Sequence, residues 1–240
     1  MVLTDFACVL ADTARSRAYM QTLLRHDIIP SECLVMSEGG RAIVSHKIPC
    51  EWNAHQFFNL DESIFETMET HRVLYKTVAS RDINSDEMRR IMQRLSQQYI
   101  LYSGYGGVIL KPHLFQMGKK WLHVHAGILP FSRGSTTAYY SLLDGDKMGA
   151  TAIFLNERID EGSVIASEEF PPPPRGELVD YVYDPYIRAQ VLVKALRNYI
   201  EKGKFSERPQ TVQGAETYYI IHPVLKHIAI LGVDSNEEPK

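Results

Sequence analysis

Two histidines and an aspartate have the types and surroundings that proton transfer requires. His123 and His125 alternate with apolar residues in a run that ends at glycine and proline, so a β-strand would place both imidazoles on one face. Asp160 lies in a polar stretch that ends at Gly162. Histidine changes charge near neutral pH, and a carboxylate can orient it. The pattern indicates acid–base catalysis, although a single strand histidine more often binds a carbonyl and a loop aspartate often fixes a turn.

The same three residues also form the donor set of a metal site. Two histidines and one carboxylate bind several transition metals. No further ligand motif accompanies them, and the nine histidines of the chain make this spacing a weak signal. Acid–base chemistry is favoured, and a metal-dependent enzyme that uses His123, His125 and Asp160 stays open as an alternative.

Alternating strands and helices are expected to position these residues. The chain begins with a β-α-β pattern, and the N-terminus of a later helix is expected at Asn84 or Ser85. Strands are expected at 6–10, 33–36, 75–78, 99–103, 121–125, 149–155 and 163–167, and helices at 88–95, 112–117 and 136–143. This order predicts an α/β fold that is Rossmann-like, with a mostly parallel central sheet flanked by helices.

Glycines follow the strand expected at 99–103, in the stretch from Gly104 to Gly107. They allow a ligand to approach the backbone closely, or they simply turn the chain. Parallel strands have their carboxyl ends at one edge of a sheet, where ligands bind. We therefore expect this turn beside the strand end that carries the histidines. The first turn of the chain lacks glycine, so a dinucleotide-binding fingerprint is absent there.

The composition favours a folded protein without a polyanionic partner. The chain has 240 residues, is 45% hydrophobic and has a net charge of −3, with acids and bases interspersed. This balance gives no reason to expect nucleic acid or a membrane as partner, and no apolar run approaches the ~18 residues of a spanning helix. Three cysteines without a paired motif, and an N-terminus unlike a signal peptide, predict a cytoplasmic location.

Four prolines at positions 171–174 suggest a division of the chain. We expect a catalytic domain at 1–170 and a C-terminal extension at 171–240. The extension would contain the proline linker, a helix that begins at Asp184 and ends at Gly203, and short strands near Tyr218. Residues 37–72 are expected to form loops and a short helix.

The order of these motifs resembles the formyltransferase family, whose members use 10-formyltetrahydrofolate. The matching stretches are Ser103–Leu110, Leu122–Gly134 and Gly149–Ile165, and the resemblance covers roughly residues 75–168 well. It implies a Rossmann-like formyltransferase domain and an enzyme, a one-carbon group transferase, that moves a formyl group from this cofactor to a primary amine.

By this resemblance His125 and Asp160 are catalytic, and His123 stands where the family has an asparagine. An amide is a permanent donor toward the oxyanion, whereas an imidazole donates only in the right tautomer or when protonated. Ile153 stands where the family often has a histidine. The resemblance implies that His125, with His123, stabilises the oxyanion, while Asp160 orients His125 and takes up the proton of the amine.

The resemblance also implies binding residues and a substrate class. Cofactor contacts are expected at Tyr105, Gly106, Gly107, Ile109, Asn156 and Arg158, and substrate contacts at Arg133, Gly134 and Ser135. The chain lacks the basic surface that RNA requires and the length for the family's tRNA-binding domain, so a small-molecule amine is expected, either an amino sugar or a natural-product amine. A protein of this fold that binds its ligand without turnover is the alternative, and a homodimer is left open.

Overall fold

The computed structural model describes residues 1–37, 57–145, 147–211 and 214–235. The chain divides into two compact units, Met1–His123 and Val124–Lys240. The boundary expected at the prolines therefore lies inside the second unit. Most of the segment 37–72, together with Cys50, lies outside the described residues. None of the described helices is long and apolar enough to cross a membrane.

The described part of the first unit is built on five parallel strands. They are β1 (Val2–Ala11), β2 (Ile29–Met36), β3 (Tyr75–Val78), β4 (Tyr99–Ser103) and β5 (Lys120–Ala126), which runs on past the unit boundary. Their order is β3-β2-β1-β4-β5. Residues 6–11 of β1 and 100–103 of β4 are buried, as parallel strands covered on both faces require. The predicted, mostly parallel sheet is confirmed.

Helices connect these strands, and hydroxyl caps fix where three of them begin. The helices are α1 (Ala14–Arg25), α2 (Ile64–Thr70), α3 (Asp86–Arg94) and α4 (Pro112–Phe115). Thr13 and Ser63 cap the first two, and α3 begins after Ser85, whose hydroxyl accepts from the backbone N–H of Met88. Asn84 is not the cap: its amide donates to the carbonyl of Ile109 and accepts from the N–H of Lys111.

The second unit contains the antiparallel strands that follow the histidines. Its elements are β6 (Arg133–Gly134), α5 (Thr137–Gly145), β7 (Met148–Phe154), β8 (Val164–Phe170), α6 (Asp184–Lys202), β9 (Thr217–Tyr218) and α7 (Pro223–Ser235). Strands β7 and β8 pair antiparallel, as expected. Helix α6 has Pro185 in its first turn and stops at Gly203, which has a φ of 67°, so both expected boundaries are correct.

Two features of the second unit were not expected. A π-helical turn at Val179–Tyr183 leads into α6, and α7 follows a segment where short strands were expected. The strand near Tyr218 is only the two-residue β9, which pairs with β6. Helix α7 packs on α5, and β9 pairs with β6. These contacts join residues far apart in the sequence, which local periodicity does not report.

Candidate active site

His125 is buried near the end of β5, and both its ring nitrogens face protein oxygens. Nε2 is 2.6 Å from the carbonyl oxygen of Ser132, and Nδ1 is 3.4 Å from Oδ2 of Asp160. A neutral imidazole has one N–H and therefore serves one of these two acceptors. The shorter contact assigns the hydrogen to Nε2, so the lone pair of Nδ1 faces the carboxylate.

Burial lowers the pKa of His125 below its ordinary value of 6.5. The charge of Asp160 and the carbonyl of Ser132 act in the opposite direction, since both stabilise the imidazolium. Burial is the larger effect because the side chain is only 6% exposed. The histidine is therefore neutral at pH 7 and has one vacant proton position, Nδ1, beside a carboxylate.

Backbone groups hold Asp160 in place. Its φ is 54°, in the left-handed region, and its Oδ2 accepts a hydrogen bond of 2.9 Å from the N–H of Gly134. Two residues later the backbone of Gly162 passes so close to β7 that a Cβ there would lie 1.6 Å from the carbonyl oxygen of Phe154. A glycine is therefore required two residues after Asp160, because any side chain there would clash with β7.

The three residues expected to contact the substrate lie in and directly after β6. Arg133 is buried, and its guanidinium donates to Oε1 of Gln210 and lies 3.4 Å from Glu161. Gly134 is adjacent to β9, and its N–H binds Asp160. Ser135 is exposed, and its N–H donates to the carbonyl of Tyr218. Arg133 is thus directed at the loop that carries Asp160, and its role as a substrate contact stays a prediction.

Thr151 holds the turn after β5 through its hydroxyl. This residue was not identified from the sequence. Its hydroxyl donates to the carbonyl of Gly127 at 2.7 Å and accepts from the N–H of Leu129 at 3.1 Å. The side chain is fully buried. Ile153, on the same strand, packs against Leu129 and Val164. The position at which the family often has a histidine is thus part of an aliphatic cluster.

His123 lies two residues before His125 in β5 and at the end of the first unit. Its Nδ1 is 3.3 Å from the carbonyl oxygen of Tyr102. In the neutral ring this contact assigns the N–H to Nδ1 and makes Nε2 an acceptor, which becomes a donor on protonation. Among the described residues, no three His, Cys, Asp or Glu side chains group as metal ligands.

The cofactor residues expected in the first unit form the turn after β4. The hydroxyl of Tyr105 donates to the carbonyl at the end of β2, at 3.1 Å, and the guanidinium of Arg81 lies 4.3 Å from the ring centre. A Cβ at Gly106 or Gly107 would meet no described atom within 4 Å. Ile109 is 64% exposed. The turn therefore presents open backbone and an exposed apolar side chain.

The cofactor residues expected in the second unit lie in the loop before Asp160. The side-chain oxygen of Asn156 accepts from the backbone N–H of Arg158 at 2.9 Å, which forms an Asx turn. The side chain of Arg158 is 79% exposed and lies 3.3 Å from Glu161. Asn156 thus shapes the loop, and Arg158 presents a cation to solvent.

Comparison with known proteins places these residues in a family. The sequence profile of a family described as "Formyl transferase" matches residues 45–182, a range that contains both histidines and Asp160. A methionyl-tRNA formyltransferase of Finegoldia magna is 37% identical over 93 residues, which cover 38% of this chain and 30% of that protein. The matched stretches cover between 28% and 48% of the length of the first such relatives.

Solved structures show the same fold. An N-formyltransferase from Helicobacter canadensis, in complex with folinic acid and dTDP-3-aminofucose, has a TM-score of 0.61 and 14% identity, over 95% of this chain and 80% of that one. A phosphoribosylglycinamide formyltransferase from Anaplasma phagocytophilum has a TM-score of 0.58 and 10% identity, over 89% and 97% of the two chains. Similarity at these identities extends to the fold.

Proposed function

Because the chain belongs to the formyl transferase family, we propose that it transfers a formyl group from 10-formyltetrahydrofolate to a primary amine of a small molecule. The observation that carries the proposal is the buried pair of His125 and Asp160, with the carboxylate fixed by the N–H of Gly134. A neutral imidazole backed by a carboxylate is a general base at physiological pH.

Addition of an amine to a formyl carbon leaves a surplus proton on nitrogen and negative charge on oxygen. Nδ1 of His125 accepts the proton, since Nε2 already donates to the carbonyl of Ser132. The same nitrogen of His125 then returns the proton to the departing nitrogen, as the bond between that nitrogen and the formyl carbon breaks. The imidazolium that forms is stabilised by Asp160, 3.4 Å away. In this assignment Asp160 orients the ring, and His125 carries the proton.

The oxygen that gains charge needs a hydrogen-bond donor. Both nitrogens of His125 are directed at protein oxygens, so we assign the donor role to the imidazole of His123. With Nδ1 directed at the carbonyl of Tyr102, donation to the oxyanion requires a hydrogen on Nε2.

The residues assigned to the cofactor offer two kinds of contact, one in each unit. The open backbone of Gly106 and Gly107 offers close approach to a ring, and the exposed guanidinium of Arg158 suits a carboxylate. When bound, the cofactor supplies the formyl group. Tyr105 and Asn156 shape their turns and keep these groups presented.

A small-molecule amine is favoured over aminoacylated tRNA because the chain has a net charge of −3. Nucleic-acid binding depends largely on lysine and arginine side chains that neutralise phosphates. The solved structure of similar fold with dTDP-3-aminofucose supports a nucleotide-linked amino sugar as the first compound to test.

The test is to incubate the purified protein with 10-formyltetrahydrofolate and a panel of amines. The panel contains nucleotide-linked and free amino sugars, glycinamide ribonucleotide and methionyl-tRNA. Release of tetrahydrofolate is followed by absorbance, and the formylated product by mass spectrometry. We expect turnover with an amino sugar. A panel without turnover, beside a working formyltransferase control, would refute the proposed activity.

Two further measurements separate the alternatives. Calorimetry with the folate shows whether the protein binds its ligand without turnover, which would indicate a fold that has lost catalysis. Elemental analysis of the purified protein shows whether it contains a metal. Stoichiometric metal, lost together with activity on chelation, would favour the metal-dependent enzyme that uses His123, His125 and Asp160.

A further inference from the structure

Gln210 contacts both sides of the loop that carries Asp160, although it lies 50 residues away in the sequence. Its Nε2 donates to the carbonyl oxygens of Asp160 and Gly162, each at 2.7 Å. Its Oε1 accepts from Arg133, at 3.0 Å from Nη2 and 3.3 Å from Nε. One side chain therefore connects the loop of the aspartate to β6.

The chemistry of these contacts requires an amide. Two carbonyls need two N–H donors, and a guanidinium needs an acceptor, so the orientation of the amide is fixed by its partners. A glutamate here would turn a carboxylate oxygen toward the two carbonyls. A methionine would fill a similar volume without either kind of hydrogen bond.

Neighbouring contacts hold Gln210 at this place. Two residues earlier, the N–H and carbonyl of Arg208 pair with those of Val164, at 2.9 and 2.8 Å. Arg133 is followed by Gly134, whose N–H binds the carboxylate of Asp160. Gln210 and β6 thus restrain Asp160 together, one at its backbone and the other at its side chain.

We propose that Gln210 is a positioning residue that keeps the carboxylate of Asp160 directed at Nδ1 of His125. The geometry itself is independent of the reaction, and only the consequence for turnover rests on the proposed function. Without these hydrogen bonds the loop is free to relax, and the carboxylate moves away from the ring. The imidazolium then loses its stabilising charge, so His125 takes up a proton less readily.

The experiment compares the wild type with Gln210→Met and Gln210→Asn, using Gln93→Met as the control at an exposed glutamine of α3. NMR titration follows the ring protons of His125, identified by their absence in His125→Gln. In Gln210→Met we expect the midpoint of His125 to fall by about half a pH unit or more. We also expect kcat to fall roughly tenfold or more, with KM for the folate nearly constant. The control retains wild-type values.

Gln210→Asn keeps the amide but shortens its reach, so we expect both effects at intermediate size. It also supplies the measurement if Gln210→Met does not fold. A folded variant with an unchanged His125 midpoint overturns the positioning role, whether or not the wild type transfers formyl groups. A shifted midpoint in a protein that turns over no amine supports the positioning role and refutes the proposed function alone.

Discussion

The imidazole of His125 lies between two oxygen acceptors, and only its protonated form can donate to both. Burial disfavours the protonated form, so the ring is neutral at pH 7. The N–H at Nε2 of the neutral ring donates to the carbonyl of Ser132, and Nδ1 can accept a proton. A solvent-exposed pair with the same spacing would titrate near the ordinary histidine value.

The lowered pKa of His125 makes folding depend on pH. Below its ordinary value of 6.5 the unfolded chain binds a proton that the folded chain resists. This contribution to stability is present above that value and is lost as the pH falls toward the folded pKa. We expect the free energy of unfolding in urea to fall less from pH 7.5 to 5.5 in His125→Gln than in the wild type. A change at the exposed, non-titrating Gln93 (Gln93→Met) should keep the wild-type slope, and equal slopes in both variants would contradict the prediction.

Replacement of Asp160 by asparagine tests the charge of the pair with little change of shape. The amide oxygen of Asp160→Asn still accepts from the N–H of Gly134, while the negative charge beside Nδ1 is lost. We expect kcat to fall by about 100-fold or more, with folate affinity within a few-fold. Asp144→Asn, at an exposed end of α5, is the matched control. Unchanged turnover in Asp160→Asn would remove Asp160 from the mechanism.

At the scale of elements, the short connections position the side chains of His125 and Asp160. Strand β5 ends in the turn held by Thr151, strand β7 leads into the loop held by Gln210, and β6 supplies the N–H that binds Asp160. The strands fix where these connections begin. The hydrogen bonds between connections fix where the side chains point.

The substitution Gly162→Ala tests how tightly the loop that carries Asp160 packs on β7. Because a Cβ would meet the carbonyl of Phe154, Gly162→Ala must displace the loop. We expect a loss of about 2–4 kcal/mol in the free energy of unfolding and a larger relative loss of kcat than of folate affinity. Gly145→Ala, where a Cβ meets no described atom within 4 Å, serves as control and should be neutral or slightly stabilising. Equal effects of the two changes would be inconsistent with this packing.

The substitution Thr151→Val tests how much the hydroxyl of Thr151 stabilises the turn after β5. Thr151→Val keeps the shape but leaves the carbonyl of Gly127 and the N–H of Leu129 without their partner. We expect a loss of about 1–3 kcal/mol in thermal or urea unfolding, because buried groups left without hydrogen bonds are costly. Thr77→Val, on the exposed side of β3, should change stability by less than about 0.5 kcal/mol. A small effect of Thr151→Val would show that the turn holds without this hydroxyl.

At the scale of the whole molecule, residues 171–240 belong to the same unit as His125 and Asp160. Gln210 reaches the loop of Asp160, β9 pairs with β6, and the side chain of Arg188 lies 3.3 Å from the carbonyl of Val124. The segment after the prolines thus takes part in building the site.

The net charge of −3 predicts weak binding of tRNA. In filter-binding assays at 150 mM salt we expect a Kd no tighter than the ~10⁻⁴ M of weak non-specific binding. A methionyl-tRNA formyltransferase is the positive control. Binding below about 1 µM, together with formylation of methionyl-tRNA, would reverse the preference for a small-molecule amine.

The sequence by itself determined the class of fold and the candidate pair. Apolar periodicity reports local backbone geometry, so the parallel strands, the antiparallel return and both ends of α6 were predictable. His125 and Asp160 were recognisable because their types and neighbours are those of the formyltransferases. Ser85, which caps α3, is one of the two residues at which the sequence predicted the start of this helix.

Only the tertiary structure decided what these residues contact. It directed both nitrogens of His125 at oxygens, placed Ile153 in an aliphatic cluster and brought Gln210 to the loop of Asp160. Such contacts join residues tens of positions apart, and a local pattern carries no information about them. The direction of the pKa of His125 likewise depends on burial, which packing of the whole unit produces.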